Sequence, residues 1–325
     1  MVYDPLKPGT EQIREALLKA RKSSVAGYEA REPYGIVDLS GLPSRLMVVH
    51  ADGVGTKGQL HWRYRTFSNA ARDAFAMNVD DLPMARAMPF LYVTHIIIPE
   101  DDTQAAVEVI RESAELCSQH DILMPAGGET AVLDTLDGIE IGGFCIGYVN
   151  EHKENIACAD DVLIGIESSG VHSNGYTFIR KEFTDGEIER WQRELVEPTR
   201  IYYGVLSGVI EKFNVHGLMH VTGGGLAKTK RMLKNTNAWI RSDHSLKPQE
   251  IFRFMAEEKG VRSKDMLQRF NCGIGYVLSV RPEDADAVLA EIRKTYPADV
   301  IGEVFEGRGE VHVDSPFEKV TIMWN

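Results

Sequence analysis

The sequence predicts an α/β (α+β) chain built as two domains. Apolar, β-branched runs alternate with stretches of helical periodicity along the whole 325-residue chain. Four of the apolar runs end in glycine-rich polar turns, at 51–57, 127–131, 168–175 and 222–225. One polar stretch, Asn150-Glu151-His152-Lys153-Glu154-Asn155, lies between two apolar strands. It places the boundary between a first domain at 1–155 and a second at 156–325.

In the first domain, residues Gly9 to Arg21 read as a helix, and Lys22 to Pro43 carry no clear pattern. Leu46 to His50 is a strand feeding the first glycine turn. Ser68 to Leu82 follows as an amphipathic helix, with Ser68 as N-cap and Ala71, Ala74, Phe75, Val79 and Leu82 on its apolar face. Phe90–Ile98 is a β-branched strand. Asp101–His120 is a helix whose first turn carries two aspartates, where the helix dipole favours them. Ile122–Pro125 and Ile139–Val149 complete the domain as strands.

The second domain opens with strand Val162–Ile166, then helices at Gly175–Glu182 and Thr199–Phe213. A short apolar piece, Leu218–Val221, enters the turn Thr222-Gly223-Gly224-Gly225. A strand at Gly273–Val280, a helix at Glu283–Tyr296 and strands near Val300–Val304 and Glu310–Val313 close the chain.

Composition narrows the function classes. With 48 acidic against 36 basic residues the formal net charge is −12, which argues against non-specific binding to nucleic acid or anionic membrane. An anionic substrate must be met by local lysines, backbone amides and metal ions. No apolar run reaches the length of a membrane span, and Met1-Val2-Tyr3-Asp4-Pro5 lacks a signal-peptide core, so the expected location is cytoplasmic. Cys117, Cys145, Cys158 and Cys272 lack paired metal spacing and read as buried reduced thiols.

The chemistry-bearing residues cluster in the turns. Ala51-Asp52-Gly53-Val54-Gly55-Thr56-Lys57 joins a carboxylate for Mg²⁺, close backbone amides at Gly53, Gly55 and Thr56 for phosphate oxygens, and a point charge at Lys57. The P-loop pattern is absent. Asp73, Asp80 and Asp81, spaced i, i+7 and i+8, are expected on one helix face, where like charges favour a cation between them. Asp52 and Glu129 stand at strand ends that are expected to converge on that face. Gly127, Gly128 and Thr130 flank Glu129. Ser173 and Asn174 add donors where a helix begins near Gly175, and His172 beside them is a candidate proton shuttle or phosphate contact. Thr222, Gly223 and Gly224 form the fourth turn, so that four amide-lined turns are expected to share a cleft.

Taken together and in this order, the motifs resemble the phosphoribosylformylglycinamidine cyclo-ligase (aminoimidazole ribonucleotide synthetase) family. The matching pieces are DGVGTK at 52–57, AMNVDDL at 76–82, GGETA at 127–131, GFCIGYV at 143–149, SSGVHSNGY at 168–176, EPTRIY at 197–202, HVTGGG at 220–225, FNCGIG at 270–275 and IGEV at 301–304. They span roughly residues 46 to 305. The resemblance implies a first domain that binds ATP and Mg²⁺ and pairs with its copy in a homodimer, and a second that is an α/β sandwich. It also implies ATP-dependent cyclisation of a small phosphorylated ribonucleotide. On that basis Asp52, Asp81 and Glu129 hold Mg²⁺, with Asp80 beside them. Lys57 meets the nucleotide phosphates, and the His172 turn touches phosphate or the reacting group.

The sequence departs from the family pattern at Asp80, which replaces an asparagine and adds a negative charge near the metal. It departs again in the short loop Val132–Gly138, which lacks the Met-Pro-Gly motif, and in the altered stretch Val25–Gly35. Two alternatives remain at this level. One is another ATP-dependent kinase or synthetase of the same superfamily, and the other is a non-catalytic nucleotide-binding regulator. Against the first stand the absence of a thiamine-phosphate-kinase strand at Asp52, of a reactive cysteine before Cys117, and the reading Met323-Trp324-Asn325 where a hydrogenase-maturation protein is expected to carry its terminal cysteine.

Overall fold

The computed structural model describes residues 10–30, 35–125 and 128–325. By its internal contacts the chain divides into one unit of Met1–Leu82 and Arg86–His152 and another of Pro83–Ala85 and Lys153–Asn325. The division falls within the polar segment 150–155.

The first unit contains α1 (Thr10–Lys19), β1 (Gly27–Ala30), β2 (Gly35–Asp38), β3 (Met47–Gly53), α2 (Gly58–Tyr64), α3 (Phe67–Val79), β4 (Ala87–Ile98), α4 (Thr103–Gln119), β5 (Glu129–Val132) and β6 (Glu140–Val149). Its main sheet runs β3-β6-β4-β5, with β4–β5 parallel and the other pairs antiparallel. The alternation of β6 follows from that packing: Ile141, Cys145 and Val149 are buried, whereas Phe144 on the opposite face is exposed. Helix α3 carries the predicted apolar face, with Ala71, Ala74, Phe75 and Val79 all buried. Its cap differs from expectation. Thr66 holds the N-cap position, and Ser68 lies inside the helix, where its N–H and hydroxyl both donate to Glu108. Asp102 caps α4, its carboxylate accepting from the Ala105 N–H at 3.0 Å.

Two local readings change. The unpatterned stretch 22–43 contains the antiparallel pair β1–β2, whose partly buried Tyr28 and Val37 pack with Phe90, Leu91 and Leu123. Ile122–Pro125 is not a full strand, and Leu123 makes only an isolated bridge to Leu91.

The second unit contains β7 (Val162–Glu167), α5 (Tyr176–Glu182), α6 (Asp185–Arg190), α7 (Gln192–Leu195), α8 (Tyr203–Lys212), β8 (Gly217–His220), β9 (Thr236–Ile240), α9 (Glu250–Glu257), α10 (Ser263–Arg269), β10 (Ile274–Val280), α11 (Pro282–Ile292), β11 (Ala298–Glu306), β12 (Val311–Asp314) and β13 (Thr321–Trp324). Its seven-stranded sheet has the order β13-β12-β9-β11-β7-β10-β8, antiparallel except for β12–β9. Strand β10 is buried along its whole length, and Ile164, Ile166, Tyr276 and Leu278 form a core with Leu206, Val209, Val288 and Ile292 of α8 and α11. Strands β9 and β13 and the short helices α6, α7, α9 and α10 went unread in the sequence, because each is too short to show a period. Among the described residues no helix is long and apolar enough to cross a membrane.

Candidate active site

In the first unit the candidate site grows from the end of β3. Asp52 is exposed there, and its backbone is clamped by one side chain of α3. Asn78 accepts from the Asp52 N–H at 3.0 Å and donates to the Asp52 carbonyl at 3.0 Å and the Ala74 carbonyl at 2.8 Å. The same Asn78 oxygen lies 3.3 Å from His50 Nδ1, and His50 Nε2 lies 3.5 Å from Asp81. Hydrogen bonding to Asp81 raises the His50 pKa against the opposing effect of burial, and the charge of Asp52 adds to the rise. Glu140, at the start of β6, lies on the Gly53 face of the sheet, opposite the Asp52 side chain, yet close enough to feel its charge. Burial pushes its carboxyl up, and the nearby charge of Asp52 pushes in the same direction.

Not every predicted acid joins the patch. Asp73 is fully buried and committed to Lys57 and His61, so it does not share a cation-binding face with Asp80 and Asp81. Helix α3 also ends at Val79, which leaves Asp80 as a buried C-cap and Asp81 beyond the helix. The sheet register separates Asp52 from Glu129. Gly53, Gly142, His95 and Glu129 lie in one row across β3, β6, β4 and β5. Glu129 is therefore three strands from Gly53, about 14 Å, and alternation points it to the face opposite Asp52. Within this unit the two do not converge. Thr130 lies opposite Ile96 on β5, a Cβ on Gly128 would come within 2.5 Å of the Thr94 carbonyl, and Gly127 lies outside the described residues.

Lys57 differs most from expectation. It belongs to a 3₁₀ turn, Gly55–Lys57, and its side chain is wholly enclosed, so it does not stand as an open charge for phosphates. The backbone around it remains accessible. Gly55 is exposed with φ +58° and open space beside its Cα, and Gly53 and Thr56 are half-buried.

In the second unit two of the predicted turns meet. A Cβ on Gly223 would lie 3.5 Å from the Asn174 side-chain oxygen. Ser173 Oγ lies 2.9 Å from Thr199 Oγ1, and Lys228, a residue the sequence reading passed over, donates to Thr222 Oγ1 at 2.5 Å. Gly223 and Gly224 are exposed, with Gly224 at φ +102°. Helix α5 has only seven residues, so the donors here are loop amides and side chains more than a helix dipole. His172 is buried with φ +62°, and its Nε2 accepts from the Ser169 N–H at 3.1 Å. Asn271 ties the turn to β10, accepting from Ser168 Oγ and the Gly273 N–H and donating to the Gly170 carbonyl.

Family models match both halves of the chain: AIR synthase related protein, N-terminal domain, over residues 34–149, and the corresponding C-terminal domain over residues 159–314. The chain is 34% identical over 273 residues to a phosphoribosylformylglycinamidine cyclo-ligase of Clostridium novyi (strain NT), covering 80% of this chain and 81% of the relative. The chain belongs to the phosphoribosylformylglycinamidine cyclo-ligase family. A cyclo-ligase from Streptococcus sanguinis (strain SK36) is 32% identical over 298 residues, with 86% of each chain covered. Among solved structures, an E. coli hydrogenase maturation protein, HypE, superposes with a TM-score of 0.68 at 17% identity, covering 97% of this chain and 96% of that one. A thiamine-monophosphate kinase from Stenotrophomonas maltophilia K279a gives 0.64 at 18% identity, covering 95% and 96%. These distant likenesses speak for the cyclo-ligase fold and not for a shared reaction.

Proposed function

We propose that this cyclo-ligase family member closes the imidazole ring of 5-aminoimidazole ribonucleotide from formylglycinamidine ribonucleotide, using ATP. The observation that carries this reading is the 34% identity to a named cyclo-ligase across four-fifths of both chains. ATP transfers its γ-phosphoryl to the formyl oxygen, which makes that oxygen a leaving group. The amidine-side nitrogen attacks the same carbon, phosphate departs and the ring closes. Such chemistry draws mainly on positioning and charge neutralisation.

The acidic patch fits Mg²⁺. Asp52, with Asp81 beside His50, offers carboxylate oxygens suited to a hard cation. When bound, Mg²⁺ supplies charge neutralisation for the polyphosphate. Asp80 is enclosed at the end of α3, and Glu129 lies across the sheet from Gly53. Asn78 fixes the backbone that presents Asp52, and Lys57 positions the same turn through Asp73. In the first unit the exposed Gly55 turn, with Thr56, offers donors for phosphate oxygens, and in the second unit Gly223 and Gly224, with Ser173, Asn174, Thr222 and Lys228, offer a separate set. His172 orients the 168–175 turn toward the reacting group.

A homodimer is supported by β3, an edge strand. With β6 it leaves Met47, Val49 and Phe144 exposed on one face, and pairing with a second copy would cover them. Small soluble substrates suit the cytoplasm. The test is incubation of the purified protein with formylglycinamidine ribonucleotide, ATP and Mg²⁺. The expected products are ADP and an aminoimidazole detected by diazo coupling. ATP consumption without aminoimidazole would overturn the substrate assignment.

A further inference from the structure

The second unit holds a group of metal-ligating side chains that the cyclisation does not use. Asp161 precedes β7, His216 precedes β8, and Ser279 lies on β10 between them, opposite Leu163 and Gly217. The sheet order β7-β10-β8 thus brings the three to one end of the sheet. The glycine turns 168–175 and 222–225 leave β7 and β8 at the other end, roughly 15–20 Å away along a strand of this length.

Cys158 joins them through the turn that enters β7: its N–H donates to Asp161 Oδ2 at 2.9 Å. His216 Nδ1 lies 3.0 and 2.9 Å from the two Asp161 oxygens, and Ser279 Oγ donates to Asp161 at 2.6 Å. Ligand atoms from Cys158, Asp161 and His216 all lie within 4.8 Å of one another. The cluster corrects the expectation of four buried thiols. Cys117, Cys145 and Cys272 are buried, whereas Cys158 is exposed and gives an ion a way in.

We propose that Cys158, Asp161 and His216 form a site for a divalent transition ion of the zinc class. One sulfur, one imidazole nitrogen and one carboxylate oxygen make a borderline-to-soft set that selects zinc over magnesium. Ligand bonds of about 2.0–2.3 Å place the donor atoms about 3.3–3.8 Å apart, so side-chain shifts of about an ångström assemble the site. The fourth position opens to solvent beside Cys158. Ser279 and the Cys158 N–H orient the carboxylate, as outer partners do in metal sites. On binding, the Cys158 thiol releases its proton to water. The proton on His216 Nδ1 passes to Nε2, where Asn214, now 3.1 Å away through its amide nitrogen, turns its oxygen to accept it and releases Lys153, which keeps its bond to the Val215 carbonyl and turns to water.

The test is Co²⁺ titration of the chelator-treated full chain. The expected result is a thiolate-to-cobalt charge-transfer band that saturates at one equivalent per chain, whatever cobalt the carboxylates of the first unit also take up, and a rise in melting temperature with Zn²⁺. In Cys158→Ser, whose exposed position leaves packing intact, the band disappears and affinity falls at least about tenfold. In the wild-type protein, Zn²⁺ protects Cys158 from maleimide labelling. Absence of a saturable charge-transfer band, or the same band in Cys158→Ser, overturns the proposal.

Discussion

Lys57 and Asp73 form an ion pair with both side chains fully enclosed, Nζ lying 2.8 Å from Oδ2 and 3.0 Å from Oδ1. His61 Nε2 donates to the same carboxylate at 2.8 Å, and its Nδ1 accepts from Thr66 Oγ1 at 2.7 Å. The group joins the turn that carries Gly55 to α2 and α3. Burial alone would raise the Asp73 pKa, but the Lys57 charge and the His61 hydrogen bond outweigh it and hold the carboxyl well below its ordinary range.

Removing one partner strands the other. Lys57→Ala is expected to destabilise the fold by about 3–5 kcal/mol, because it leaves Asp73 buried with an uncompensated charge. Denaturant unfolding measures this directly. A stable variant that loses only ATP affinity would return Lys57 to the role of a phosphate contact.

His61 adds a pH dependence. Burial lowers its pKa, so below about 6.5 the unfolded chain binds a proton that the folded chain does not. Stability from this group is therefore present above that range and lost as pH falls through it. Asp73 acts further down, its contribution present above about 3.9 and lost as the pH drops below. Unfolding free energies measured between pH 5 and 8 should show a slope that shrinks in His61→Gln, and an unchanged slope would contradict the burial argument.

Asp52→Asn is expected to cut ATP turnover at least about hundredfold while the circular dichroism spectrum stays unchanged, since the acid is exposed and, on the proposed function, serves the metal. Asn78→Asp should also lose turnover, because the amide that donates to the Asp52 and Ala74 carbonyls would be gone. Full activity of Asp52→Asn at saturating Mg²⁺ would remove it from the site.

His172→Gln is expected to lower turnover at least about tenfold, near 1.4 kcal/mol of transition-state stabilisation, with the KM for ATP little changed. Its Nε2 already holds the Ser169 amide. A normal rate with a lower melting temperature would limit the ring to shaping the turn.

Gly175→Ala tests the packing behind the same turn. The residue has φ +81°, and a Cβ would lie 2.0 Å from the Phe270 ring. Left-handed strain and overpacking together should cost about 1–3 kcal/mol. Thermal unfolding reads the loss, and an unchanged melting temperature would mean that the ring moves freely aside.

By itself the sequence determined what is local. The apolar face of α3, the strand character of β4 and β6 and the aspartates at the start of α4 depend on residues within a turn or two of each other, so short-range sterics and electrostatics write them into the chain. The ordered motifs from DGVGTK to IGEV carried the family in the same way. Tertiary structure decided the partners. Lys57 and Asp73 are sixteen residues apart, and whether that lysine faces solvent or carboxylate depends on how the turn docks on α3. The separation of Asp52 from Glu129 is a property of sheet register, which no single strand encodes. Cys158, Asp161 and His216 meet only because β10 lies between β7 and β8, a pairing of strands more than a hundred residues apart in sequence for β7 and β10. Long-range contacts are set by the burial of the whole core, so side-chain chemistry that depends on them becomes legible only once the sheets are assembled.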